Sequence, residues 1–143
     1  MTSLNTFADE MQRIMPFFMG AMLRRERNAI SQGIITVPQF LGLSFLRTTP
    51  EATVKDFAAT LGLKLSSASG LLDRMEKQGL LKRTHSTEDR RVVNLTLTAK
   101  GKKMVDQIMQ QKRNSIAEIY SVFSPQERET YLTMMQKVMK HIQ

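Results

Sequence analysis

The sequence contains no cysteine and no tryptophan, and its aromatic share is only 6%. The absence of cysteine excludes disulfide bonds, thiolate metal sites and redox switching through a thiol. Histidine is also scarce, with His85 and His141 only, so a zinc site built from His, Cys and acids is not expected. We expect no metal, no cofactor and a core built mainly from aliphatic side chains and methionine.

Long apolar runs are absent as well. No segment reaches the roughly 18 uncharged apolar residues that cross a bilayer. Asp9 and Glu10 stand where a secretion signal would have a basic region followed by an apolar run. We therefore expect a cytoplasmic protein without a membrane partner. The chain also has no phosphate-cradling glycine loop, no nucleophile beside a base and no carboxylate pair in an apolar setting, so we do not expect an enzyme.

Positive charge is present and is concentrated in the middle of the chain. The formal net charge is +8. Residues 55–103 hold eleven Lys and Arg against five Asp and Glu, a surplus of six, whereas the flanking segments are nearly balanced. A general excess of surface lysine would be spread more evenly. The distribution therefore favours a nucleic acid as the partner of this segment.

Residues 54–101 begin with the signals of two short helices. Thr53 is a capping residue for the first helix, and Gly62 ends it. The second helix is predicted over residues 66–78, with Gly79 as its stop. Two amphipathic helices joined by so short a turn predict a helix-turn-helix.

A hairpin is predicted directly after these helices. Residues 80–86 and 91–97 alternate between apolar and polar side chains, and the polar connection 87–90 lies between them. The combined pattern predicts a mainly α fold with a small β-hairpin wing, in which residues 32–103 form a winged helix-turn-helix lobe. Such a lobe reads double-stranded DNA.

The N-terminal end of a recognition helix reaches base edges in the major groove, while basic side chains hold phosphates. Hydroxyl groups near that end suit either kind of contact, although Ser66 is equally well explained as the helix cap. The candidate contacts in this helix are Ser66, Ser67, Ser69, Arg74 and Lys77. Arg74 and Lys77 lie further along the helix and are expected to touch phosphates.

The wing supplies a second group of candidate DNA contacts, Arg83, Arg90 and Arg91. Arginines at a hairpin tip suit a narrow minor groove, where the potential is most negative. Asp89 is expected to hold one of these arginines by a charge-assisted hydrogen bond, so that the loop is ordered before it binds. A solvated hairpin tip without DNA contact is the alternative that these residues leave open.

Long amphipathic helices are predicted on both sides of the lobe. The first lies within residues 4–30, where Pro16 predicts a kinked or two-part helix and residues 24–28 predict a solvated helix end. Two further helices are capped by Thr98 and Ser124. Their apolar stripes are too extensive for the lobe to cover. We expect residues 1–31 and 104–143 to form an intertwined dimerisation region with a second copy, the alternative being that they fold back onto their own chain.

The central segment resembles the MarR family of bacterial regulators. The resemblance is carried by Leu80-Leu-Lys-Arg83, by Asp89-Arg-Arg91 and by Leu97-Thr98-Ala-Lys-Gly101, and the helix before them, Ser67 to Gly79, is similar to that family's recognition helix. It implies a homodimeric transcriptional regulator, usually a repressor, that binds a palindromic operator. At Gly70 the sequence departs from the family, which often has a larger polar or basic residue there.

The resemblance further implies release by a small aromatic or phenolic effector. The pocket would lie between the dimer helices and the DNA-binding lobe, and its candidate lining is Met15, Phe18, Met22, Phe40 and Phe45. Methionines at helical spacing are more often part of a core. Two other functions stay open: a non-specific architectural DNA-binding protein, and a dimeric interaction module that has lost DNA binding.

Overall fold

The chain folds into six α-helices and a two-stranded hairpin, and the computed structural model describes residues 1–143. In chain order the elements are α1 (Leu4–Arg25), α2 (Val37–Thr48), α3 (Val54–Thr60), α4 (Leu65–Lys77), β1 (Leu81–His85), β2 (Val93–Leu97), α5 (Ala99–Ile119), a short 3-10 turn (Tyr120–Val122) and α6 (Pro125–Ile142). The predicted mainly α winged helix-turn-helix fold is confirmed. No helix combines the length and the apolar composition that spanning a membrane requires.

Most helices begin at a side chain that caps them. Thr36, Thr53 and Ser124 each accept from the backbone N–H three residues later, and the side chain of that later residue accepts from the cap's own N–H in return. The exception is α4, whose N-cap is Lys64 and receives no side-chain hydrogen bond. Ser66 lies inside the helix, so the interpretation of Ser66 as the cap is wrong.

The hydrophobic core belongs to the winged lobe and the start of α5. Its 16 buried residues run from Ile35 to Ile108, with the Phe57 ring fully buried against α2. The recognition helix α4 contributes one face, made of Ala68, Leu71, Leu72 and Met75. Burial of that face holds α4 on the lobe and leaves its other faces free.

The hairpin is antiparallel, pairing Leu81 with Leu97 and His85 with Val93 at its two ends. It is also joined to the residues before α3, because the N–H of Leu95 donates to the carbonyl oxygen of Ala52 over 2.8 Å. The sequence pattern did not indicate that the segment before α3 pairs with β2. It sets the start of α3 beside the base of the wing.

The helices α1 and α6 bury no residue of their own. Helix α1 runs unbroken through Pro16, so the two-part alternative for this helix is wrong. Large apolar side chains remain exposed along both helices, among them Phe7, Met11, Ile14, Phe17, Leu132, Met135, Val138, Met139 and Ile142. The alternative in which these ends fold back onto their own chain leaves this surface uncovered.

The segment after α1 is anchored to α5. Asn28 is only 7% exposed, and its side-chain amide donates to Gln111 Oε1 over 2.7 Å. Glu26 forms an ion pair with Lys112. The prediction that residues 24–28 are a solvated helix end is therefore wrong at these two positions, because partners more than 80 residues away in sequence bury them.

Candidate nucleic-acid interface

The N-terminal end of α4 presents polar groups to solvent. The side chains of Ser66, Ser67 and Ser69 are all exposed there. The backbone N–H groups of residues 65–67 have no acceptor within the chain, since the first N–H to be used is that of Ala68, which donates to Lys64. Free N–H groups at the positive end of a helix dipole attract phosphate oxygens.

Four cations surround this helix without partners. Lys55, Lys64, Arg74 and Lys77 are exposed, and none of them forms an ion pair within the chain. Arg74 and Lys77 are among the predicted contacts. Lys55 and Lys64 are not, although both lie in the first turn or cap of a helix on this face. For Lys64 the missing signal was the true start of α4, which the lack of a capping hydroxyl concealed. Lys55 lies beside α4 only through the packing of α3, which no local pattern indicates.

Arg83 has a different setting from the other candidate arginines. Its Nη1 donates to Asp73 Oδ1 over 2.5 Å and to Glu76 Oε2 over 3.1 Å, and Nη2 donates to the carbonyl oxygen of Ser69 over 3.1 Å. Only 22% of this side chain is exposed. The guanidinium therefore ties β1 to α4, and its hydrogen-bonding capacity is largely used within the chain.

The wing tip is ordered by short-range hydrogen bonds. Asp89 Oδ1 accepts from the backbone N–H of Arg91 over 3.0 Å and from its Nε over 3.2 Å, which is the kind of contact expected for Asp89. On the other side, His85 Nδ1 donates to the carbonyl oxygen of Arg90 over 3.0 Å. The Arg91 side chain nevertheless remains 91% exposed.

Because the ionised carboxylate of Asp89 accepts these hydrogen bonds, the order of the wing depends on pH. The backbone N–H of Arg91, and then its guanidinium, hold the pKa of Asp89 below its usual range. A lowered pKa in the folded state adds stability above the unfolded value, and this contribution is lost as the pH falls through the lowered value. We expect the Arg91 amide to lose its hydrogen bond to Asp89, and its chemical shift to change, as the pH falls below about 4.

NMR chemical shifts of the Arg91 amide recorded between pH 6 and pH 2 would measure this transition. In the Asp89→Asn variant the transition should disappear. A wild-type amide that stays unchanged through this range would contradict the role of Asp89 in ordering the wing.

A groove joins the recognition helix to the wing. It encloses about 540 Å³ and is lined by residues from α3, α4, both strands and the end of the wing, namely Thr53, Val54, Lys55, Leu65, Ser69, Arg83, Arg91, Val92 and Val93. Lys55 and Arg91 provide cations, and Val54, Leu65 and Val92 provide an apolar lining. The groove brings the predicted contacts Ser69, Arg83 and Arg91 together on one face.

The predicted effector residues lie in different surroundings. The Phe45 ring packs on Phe57 with centroids 6.5 Å apart, and the Phe40 ring lies under Lys112, whose Nζ is 5.7 Å from the ring centroid. Phe18 contacts the Tyr120 ring at 6.4 Å. On α1, Met15 is exposed and Met22 is half-buried.

An apolar cavity of about 330 Å³ lies where α5 turns into α6, and its lining includes Tyr120, Phe123, Arg128 and Tyr131. The hydroxyls of Tyr120 and Tyr131 share a hydrogen bond of 2.9 Å. Burial, followed by that hydrogen bond, raises the pKa of Tyr120 to about 12. The phenol is therefore neutral at physiological pH. None of the five predicted effector residues lines this cavity.

Three features come together here: the uncapped N-terminus of α4, the unpaired cations around it and the ordered basic hairpin beside it. They define a winged helix-turn-helix protein of the DNA-binding type. The model of the MarR family matches residues 35–93. The chain is 30% identical over 128 residues to the transcriptional regulator YfiV of Bacillus subtilis (strain 168), covering 87% of this chain and 80% of the relative. The chain belongs to the MarR family of transcriptional regulators.

Two further comparisons agree with this assignment. The transcriptional repressor MdtR of Bacillus subtilis (strain 168) is 29% identical over 93 residues, covering 65% of this chain and 60% of the repressor. The solved structure of a MarR family protein from Bacillus stearothermophilus superposes with a TM-score of 0.79 at 24% identity, covering 98% of each chain. The structural likeness extends the shared fold to α1 and α6.

Proposed function

We propose that this regulator is a homodimeric repressor that binds a palindromic operator through the recognition helix 66–78 and the wing 86–91. The observation that carries the proposal is the shared face of α4 and the wing, where free N–H groups, exposed hydroxyls and unpaired cations converge. Hydroxyls and N–H groups at a helix N-terminus suit base edges and phosphates in a major groove. Repression is favoured by the similarity to the repressor MdtR.

The residues of this face have separate roles. Ser66, Ser67 and Ser69 contact bases and phosphates, while Lys55, Lys64, Arg74 and Lys77 hold the phosphate backbone. Arg90 and Arg91 enter the neighbouring minor groove, with Asp89 ordering the loop. Arg83 acts as a positioning residue, because its carboxylate partners Asp73 and Glu76 lie on α4 and fix the wing relative to the recognition helix.

The dimer is supported by the uncovered surface of α1 and α6, together with the exposed Met109 and Ile116 of α5. Apolar burial is worth about 25 cal/mol per Å², so an association that covers these three helices is strongly favoured. To bind a palindrome, a two-fold dimer built from residues 1–31 and 104–143 must hold its two recognition helices about 34 Å apart, the spacing of successive major grooves.

Release by a small aromatic effector is the third part of the proposal. Phe18 of α1 contacts Tyr120 in the 3-10 turn that follows α5, and Phe40 of the lobe lies under Lys112 of α5. Aromatic side chains of α1 and of the lobe thus contact α5 or the turn that follows it. An aromatic ring bound beside any of the predicted lining residues, Met15, Phe18, Met22, Phe40 and Phe45, would alter how the lobe sits on these helices.

Selection of bound duplexes from a random pool tests the proposal. A repressor should enrich one palindromic sequence and prefer it to random duplex by about a thousandfold or more. Binding without enrichment would replace the proposal by an architectural DNA-binding protein, and no binding would indicate an interaction module. The selection repeated with aromatic carboxylic acids and phenols should lose its enrichment with an effector present.

Within this function, Arg91→Ala should weaken operator binding by about a hundredfold in 0.1 M salt, because one guanidinium of each subunit leaves the minor groove. The slope of log Kd against log salt concentration should fall by about two, one for each subunit. Dimerisation and thermal stability should stay nearly unchanged, since the Arg91 side chain is 91% exposed. Fluorescence anisotropy with a labelled operator measures the affinity.

Lys102→Ala is the matched control. Lys102 is an exposed cation in the first turn of α5 that has no ion pair and lies outside both the proposed DNA-binding face and the proposed dimerisation region. Its loss should leave the operator affinity within about twofold. Equal affinities for wild type and Arg91→Ala would remove Arg91 from the interface.

A further inference from the structure

The recognition helix carries one apolar side chain that the core does not use. Leu65, the first residue of α4, is 59% exposed. The other apolar side chains of the helix, Ala68, Leu71, Leu72 and Met75, are all buried. Since α1, α5 and α6 form the proposed dimer surface, that surface does not account for Leu65.

The position of Leu65 directs its side chain beyond the helix. In an α-helix each Cα–Cβ bond tilts toward the N-terminus. A side chain at the first position therefore projects past the end that enters a major groove. Leu65 lines the groove between α4 and the wing together with Val54 and Val92, and Lys55 and Arg91 line the same groove.

An apolar side chain in this place has one matching chemical group on DNA. The base edges in the major groove are hydrogen-bond donors and acceptors, except for the C5-methyl group of thymine. Lys55, one of the proposed phosphate contacts, brings the phosphate backbone to the groove, and the apolar lining then meets a base edge. A polar base edge at this point would lose water without gaining a hydrogen bond.

We propose that Leu65 is a specificity-determining residue that packs on the methyl group of a thymine in each operator half-site. This inference rests on the proposed operator binding and names one base that the operator must contain. The serines next to Leu65 donate and accept hydrogen bonds with little discrimination, so this contact supplies selectivity that they lack.

Replacing each thymine of the selected operator by deoxyuridine, one position at a time, removes a single methyl group and tests the contact. For the wild type, one position per half-site should weaken binding by about fourfold, and both half-sites together by about 15-fold, the effect of losing one buried methyl group per site. For Leu65→Ala, the same substitutions should have no effect. Thermal unfolding of the variant should match the wild type, because the side chain is largely exposed.

Leu41→Ala is the matched control, because Leu41 of α2 is 52% exposed and lies outside the groove. It should keep the full deoxyuridine effect. The contact would be overturned if no thymine position were sensitive to deoxyuridine, or if deoxyuridine weakened binding of Leu65→Ala as much as it weakens binding of the wild type. In both cases operator binding itself stands. If no duplex is enriched in the selection, the proposed function fails before this test applies.

Discussion

Gly101→Ala is expected to lower the free energy of unfolding by about 3 kcal/mol, the upper part of the range for overpacking in a core. Gly101 lies in the first turn of α5 against Leu80, the residue just before β1. A Cβ atom there would lie 2.0 Å from the carbonyl oxygen of Leu80 and 3.0 Å from its carbon. That oxygen cannot swing away, because it accepts from the N–H of Thr98 over 3.1 Å.

The new methyl group would therefore push α5 away from the lobe. Helix α5 contributes Val105 and Ile108 to the core, and both are almost completely buried. Moving them outward exposes apolar surface and opens the packing around them. The effect thus spreads from one contact to the junction between the lobe and the proposed dimerisation region.

Urea unfolding followed by circular dichroism measures this loss. Gly70→Ala is the control, because a Cβ at Gly70 meets only the Arg74 guanidinium at 3.9 Å. It should leave stability unchanged or raise it by up to about 1 kcal/mol through helix propensity. Gly101→Ala with wild-type stability would show that the contact with Leu80 can relax.

The double substitution Met135→Glu with Met139→Glu is expected to convert the proposed dimer to monomer and abolish operator binding. The two methionines are 44% and 46% exposed on the apolar stripe of α6. Enclosing an unpaired carboxylate costs several kcal/mol. With four carboxylates per dimer, the dissociation constant should rise by at least about a thousandfold.

Sedimentation equilibrium at micromolar concentrations measures the change in assembly. Gln126→Glu with Thr133→Glu adds the same charge on the opposite, polar face of α6 and should leave a dimer. If the methionine variant sediments as a dimer that still binds the operator, the α6 stripe is not part of the dimer interface.

Local signals in the sequence located most elements of the fold. The caps at Thr53, Thr98 and Ser124 are found as predicted, since each depends on residues three positions apart. The hairpin alternation is also confirmed. At α4 the prediction began one residue late, because Lys64 offers no hydroxyl or carboxylate that would mark the start.

In the candidate DNA-binding face, too, some features follow from local sequence patterns and others only from tertiary packing. Exposure of Ser66, Ser67 and Ser69 follows from helical periodicity, and the Asp89–Arg91 contact spans only two residues. The partners of Arg83 do not follow from any local pattern, since they depend on how closely the hairpin lies against α4. The exposure of Leu65 likewise does not follow from a local pattern, because it depends on how far the packed core extends along α4.

By itself, the sequence determined the winged helix-turn-helix order, the concentration of positive charge in residues 55–103 and the need to cover apolar stripes at both ends. These properties reside in composition and in spacings of a few residues. Only the tertiary structure decided that Arg83 is held by Asp73 and Glu76, that Asn28 is buried against Gln111, and that Leu65 is left exposed beside the wing. Each of these depends on distances between segments far apart in the chain, which are set by the packing of whole elements.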